Sequence, residues 1–150
     1  MNPTVFTKAA MFTMLAALLQ AAAGTLEVLA GAKMKLFVND VDPGEAAVIG
    51  DFTLASFTGS AAITIAAWGE AFTGQGGYPT TIGTLGQWDY DSGDAETVYG
   101  VVLTDNADGL LAYARLTEPK TMDDTSDSLI VVPRMVVSPT GFGTFDRLAA

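Results

Sequence analysis

Asp89, Asp91, Asp94 and Glu96 crowd into DYDSGDAE, the stretch of this chain whose residue types come nearest to a cation-binding loop. An EF-hand loop needs oxygen ligands at positions one, three and five, and a glycine at six where the chain turns sharply. Counted from Asp89, Gly93 falls at five and Asp94 at six, so the spacing fails and the segment reads as an acidic turn between strands. MDDTSDS, from Met122 to Ser128, reads the same way. Glu70, beside Trp68 in WGEAF, is the carboxylate least unsuited to acid catalysis. Nothing in the spacing of the 17 acidic residues selects the second carboxylate that glycoside hydrolysis requires.

Other chemistries are closed off by residue type. With no histidine and no cysteine, the chain lacks the commonest general base, the commonest metal ligand and any disulfide framework. A serine nucleophile has neither an activating base nor a G-x-S-x-G turn, and GQGG at Gly74–Gly77 lacks the lysine of a phosphate loop. The expectation is therefore a protein without catalytic activity, cofactor or metal. Trp68, Tyr78, Trp88 and Tyr90 offer a different possibility, a platform on which sugar rings stack, although aromatics near strand ends more often pair across strands or fill a core.

Charge narrows the partners. The net charge is -10 and only seven residues are Lys or Arg, so a nucleic-acid backbone or an acidic membrane surface would be repelled. Arg115, Lys120 and Arg134 are too few to form a basic patch. A partner with basic patches suits this chain.

The elements that would carry these residues fall into two textures. Residues 1–24, MNPTVFTKAAMFTMLAALLQAAAG, fit a secretory signal, with Lys8, an apolar run and small residues at Ala21 and Ala23. They also fit a helix capped by Asn2, with Pro3 at its first position and Gly24 at its stop. With Met1 in place, the retained helix is the expectation. Met11, Met14, Leu15, Leu18 and Leu19 make one apolar face, and Ala10, Thr13, Ala17 and Gln20 a small-residue face opposite. Such a helix is long enough for a bilayer of about 30 Å, but Lys8 lies within it and no Trp or Tyr flanks it, so a membrane span is not expected.

From residue 25 the composition turns to Val, Ile, Thr, Phe and Gly. Strands are expected at Leu26–Ala30, Lys33–Val38, Asp51–Phe57, Ala61–Trp68, Thr84–Trp88, Thr97–Thr104, Leu110–Leu116 and Leu129–Ser138. Lys33 and Lys35 alternate with Met34 and Leu36 as in a half-buried strand. Phe57 is out of phase with Phe52 and Leu54, which suggests a bend at Ala55-Ser56. The Gly/Thr-rich run from Gly69 to Gly86 is an exposed loop or hairpin tip. DNADG between Thr104 and Leu110 is a hairpin connection turning on Asp108-Gly109. Pro133, lacking an N–H, confines its strand to a sheet edge or a bulge. The reading is mainly β: an antiparallel β-sandwich or jelly-roll-like domain preceded by one N-terminal α-helix, a single domain over 1–150 with the helix at 1–24 and the β-rich body at 25–150.

KMKLFVNDVDPGEAAVIGDFTLASFTGSAAI, ETVYGVVLTDNADGLLAYARL and IVVPRMVVS resemble a family of small structural proteins encoded by tailed bacteriophages. Its members pair an N-terminal AAM..MLAALL helix with LF-N..P, a D-F-T-A-F-T-G segment and V-Y-G-(hydrophobic)-T-D. Where an aromatic often follows F-T-G, this chain has Ser60. The resemblance spans about Ala9 to Ser138. It implies a virion component, favouring a capsid decoration (cement) protein on the outer surface of the head, with the major capsid protein as partner and a homotrimer as assembly. Met11, Met14, Leu15, Leu18 and the strand edge near Pro133 are the expected contact residues. The alternative is a tail or fibre component with a carbohydrate-binding β-domain.

Overall fold

A computed structural model describes residues 31–69, 72–74, 77, 79–138 and 141–148. The expected helix at 1–24, with Met11, Met14, Leu15 and Leu18, lies outside these residues, as do the expected strand at Leu26–Ala30 and the side chains of Glu70 and Tyr78. Among the described residues no helix is long and apolar enough to cross a membrane.

The described chain is mainly β. Its strands are β1 (Lys33–Phe37), β2 (Ile63–Thr64), β3 (Phe72–Thr73), β4 (Pro79–Ile82), β5 (Gly86–Asp89), β6 (Glu96–Thr104), β7 (Leu110–Met122), β8 (Ser128–Ser138) and β9 (Gly141–Leu148). A four-stranded sheet runs β2-β1-β6-β7, and a five-stranded sheet runs β3-β4-β8-β5 with β9 also paired to β8. All these pairings are antiparallel.

The alternation in KMKLF works as its pattern predicts. Met34 and Leu36 are buried, while Lys33 and Lys35 keep their ammonium groups at the surface. One core joins both sheets, with Met34, Leu36, Val98, Val101, Leu103 and Met122 from the first and Trp88, Leu129 and Val131 from the second. Val98 and Val101 are three apart yet share this core, because the β6–β7 register shifts between Val98 and Gly100. Opposite that shift, β7 carries Leu116 to Pro119, where the proline has no N–H to give. The strand expected to stop at Leu116 resumes past this irregularity and runs to Met122.

The other face of the four-stranded sheet is covered by residues 38–55. Here Phe37, Phe52 and Val102 are buried, with Val41, Ile49 and Tyr113 packed on them. The Phe37 and Phe52 ring centroids are 4.9 Å apart in an edge-on contact, and Phe52 and Tyr113 are 5.1 Å apart. Asn39 spans this strap: its amide donates to Asp51 O at 2.8 Å and its carbonyl oxygen accepts Thr53 N–H at 2.7 Å. The strand expected over Asp51–Phe57 is not formed. Asp51 ends a 3-10 turn and accepts Val48 N–H at 2.8 Å, a local bond that competes with a ladder, and only Leu54 bridges to Phe37. Likewise, Ala61–Trp68 keeps ladder pairing only at Ile63–Thr64 and a bridge at Trp68.

Pro133 does not mark a sheet edge. β8 has β4 and β5 end to end on one side and β9 on the other, so it is an interior strand. The bulge half of the expectation holds: Ile82 pairs with Arg134 and Gly86 with Val131, so three residues (83–85) face two (132–133). Pro133 O accepts Gly83 N–H at 2.8 Å, and its missing N–H lies on the same side, toward that irregular stretch. Pro133 is buried, so its expected place on an exposed contact edge is corrected.

Candidate interaction surface

Several of the carboxylates singled out by sequence are spent on separate local tasks. Asp89 accepts the Gln87 amide at 2.8 and 3.1 Å, and Glu96 accepts both Ser56 N–H at 2.8 Å and Ser56 Oγ–H at 2.7 Å. Asp127 accepts the Lys120 ammonium together with Asp123 and Asp124 N–H, each at 3.1 Å. That ammonium and those amides hold the Asp127 carboxyl well below the usual carboxylate range. Asp124 is lowered too, by the Ser126 N–H and hydroxyl. Among the described residues no three carboxylates converge as a metal site.

Two of the four aromatics are core residues. Trp88 is 1% exposed, and its indole N–H donates to Ala61 O at 2.9 Å. Tyr90 is buried against Phe57, with its hydroxyl donating to Gly93 O at 2.6 Å. Trp68 is half-buried at the seam near Gly83, and its ring nitrogen is buried with no hydrogen-bond partner. Neither Trp88 nor Tyr90 can present a face to a ligand.

Turn chemistry explains the F-T-G motif. Thr58 bridges Ser92, donating to Ser92 O at 2.8 Å and accepting Asp91 N–H at 3.0 Å. Gly59 has φ +107°, and a Cβ there would stand 1.9 Å from Asp89 O. The motif is legible in the sequence but its reason is not, since the constraint comes from a loop thirty residues away.

Four of the seven cations are held in ion pairs within the molecule. Lys33 and Lys35 reach Asp108, Arg115 pairs with Asp40 and Lys120 with Asp127. A partner approaching the described surface therefore meets exposed carboxylates such as Asp91, Asp94 and Asp123.

Against that acidic background one flank is apolar. Phe72 pairs across β3–β4 with Thr80, and Ile82 stands two residues further along, on the same face of the sheet. They are 44% and 41% exposed, and Leu85, in the link from β4 to β5, is 51% exposed. β3 is the terminal strand of its sheet and only two residues long. Sequence reading treated this Gly/Thr-rich region as a loop or hairpin tip. The β3–β4 hairpin is there, but its outward apolar pair escaped notice because neither segment shows a long alternation. Compared with known proteins, the chain matches no family model, no curated protein and no solved structure.

Proposed function

We propose that the chain is a non-enzymatic structural component of a tailed-phage virion, a decoration protein that clamps the outside of the head by binding across junctions between capsid subunits. The observation that carries this reading is the apolar Phe72–Ile82 pair at the free end of the five-stranded sheet, set in an acidic surface on which Lys33, Lys35, Arg115 and Lys120 are paired internally. An apolar centre with a charged surround is how a protein contact holds and steers at once. The sequence resemblance supplies the partner, the major capsid protein.

The two sheets around one core are read as a β-sandwich, a stiff body suited to bridging subunits. The sequence adds a helix at 1–24 whose Met11, Met14, Leu15 and Leu18 face is a second adhesive element, in a homotrimer on the capsid's outer surface. A ligand that binds only the assembled lattice stabilises it by RT ln(1 + [L]/Kd), about 2.7 kcal/mol per site at a hundredfold excess over Kd. The tail or fibre alternative, with a carbohydrate-binding domain, loses support because two of its four aromatics, Trp88 and Tyr90, are core residues.

The test compares particles assembled with and without this protein. Decorated heads should release their genome at a higher temperature, and imaging should place the protein on the shell. Equal release temperatures, or density on the tail alone, would refute the decoration reading.

A further inference from the structure

Asp108-Gly109 is the only Asp-Gly step in the chain. This dipeptide is chemically vulnerable because glycine leaves the following backbone nitrogen unshielded. That nitrogen can attack the aspartate Cγ: the N–Cγ bond forms, a carboxyl C–O bond breaks and water leaves, giving a succinimide. Water then reopens the ring at either carbonyl, yielding aspartate or isoaspartate with no oxidant or other reactant. The step sits at an exposed hairpin tip, the kind of place where chains are most open to modification.

Both reacting groups are engaged elsewhere. Asp108 Oδ1 lies 2.7 Å from Lys35 Nζ and 3.3 Å from Lys33 Nζ, and Lys33 also donates to Asn106 O at 3.2 Å. The nucleophile is held too: Gly109 N–H donates to Asp105 Oδ1 at 2.7 Å, and the same oxygen accepts Ala107 N–H at 2.8 Å. Asp105 N–H donates to Gly109 O at 2.9 Å, closing the turn.

We propose that Asp108-Gly109 is a latent isoaspartate site, kept unreactive by the β1 lysines on the electrophile and by Asp105 on the nucleophile. An ionised carboxylate anchored by ammonium groups is a poor electrophile, because the oxygen that must leave is not protonated. An amide N–H bonded to an anion resists the deprotonation that attack requires. Opening of the tip, loss of the lysine contacts or protonation of Asp108 lifts the block.

The experiment ages the full-length protein at neutral pH, native and in urea, and measures isoaspartate at residue 108 by fragmentation mass spectrometry. The exposed Asp91-Ser92 step serves as internal reference. Native protein should convert at least about tenfold more slowly than unfolded chain, since reaction waits on local opening. Equal rates overturn the proposal. Added salt should speed the native reaction and leave the unfolded one unchanged, because these exposed ion pairs are screened. A native rate indifferent to salt removes the role given to the lysines. K35Q, checked for an unchanged fold by circular dichroism, should convert faster than the native protein. D105N should also convert faster, and slower conversion would mean that Asp105 acts as a base, overturning its role as a guard.

Discussion

The hydroxyl of Tyr113 donates to Asp42 Oδ1 at 2.6 Å while accepting Gly44 N–H at 2.9 Å, so one β7 side chain holds the strap on either side of Pro43. The neighbouring Arg115–Asp40 pair reinforces the same junction. The strap in turn covers Phe37 and Val102, so a surface hydrogen bond and a buried aromatic cluster depend on each other.

Tyr113→Phe should leave the sheets intact and loosen this strap, seen as faster hydrogen exchange at Gly44 and its neighbours. The bond to Asp42 raises the Tyr113 phenol pKa. Its contribution is therefore fully present below the unfolded phenol value of about 10, and is lost as pH rises through the raised folded value. Protection of the strap amides, taken relative to the intrinsic exchange rate at each pH, should fall on alkaline titration in the native protein and stay level across that range in Tyr113→Phe.

The acidic turn should behave in the opposite sense. Asp127 is lowered in the fold, so its bonds contribute above the unfolded carboxylate value of about 3.9 and are lost as pH falls through the lower folded value. An NMR titration should show Asp127 protonating below the ordinary carboxylate range. Asp127→Asn should flatten the acid limb of the stability profile, and an unchanged limb would refute this assignment.

Trp88→Ala should cost about 3–5 kcal/mol in denaturant unfolding, because it opens a cavity in the core shared by both sheets and frees the Ala61 carbonyl. Gly100→Ala should also destabilise, by about 1–3 kcal/mol, since the new Cβ would lie 2.4 Å from Phe37 ring carbons and 2.3 Å from Ala114 O.

Phe72→Ser combined with Ile82→Ser should leave melting nearly unchanged, because both side chains are substantially exposed. The same double variant should lose binding to undecorated heads in co-sedimentation. Retained binding would move the contact elsewhere on the molecule.

Local signals carried much of the architecture. The alternation of KMKLF, the long Thr97–Thr104 run and the DNADG connection each encode their element within a few residues. What was not legible depends on distant partners. β9 contains two glycines in its first three residues and gains its order from the β8 ladder, while DFTLASF gives up strand pairing to the Asp51 turn. Pro133 signals an edge or a bulge, and sequence cannot choose the bulge because its missing N–H faces a register break beside two other strands. The contact surface was invisible for a similar reason: Phe72 and Ile82 are ten residues apart, and only the hairpin brings them onto one face.

The contact between Gly59 and the Asp89 carbonyl has a consequence for how this molecule can vary. The 57–60 turn and the 89–93 turn are joined backbone to backbone, with no room for a side chain at Gly59. An insertion in either would have to be matched in the other. In descent from a common ancestor these two loops should therefore drift in concert, as one inherited unit.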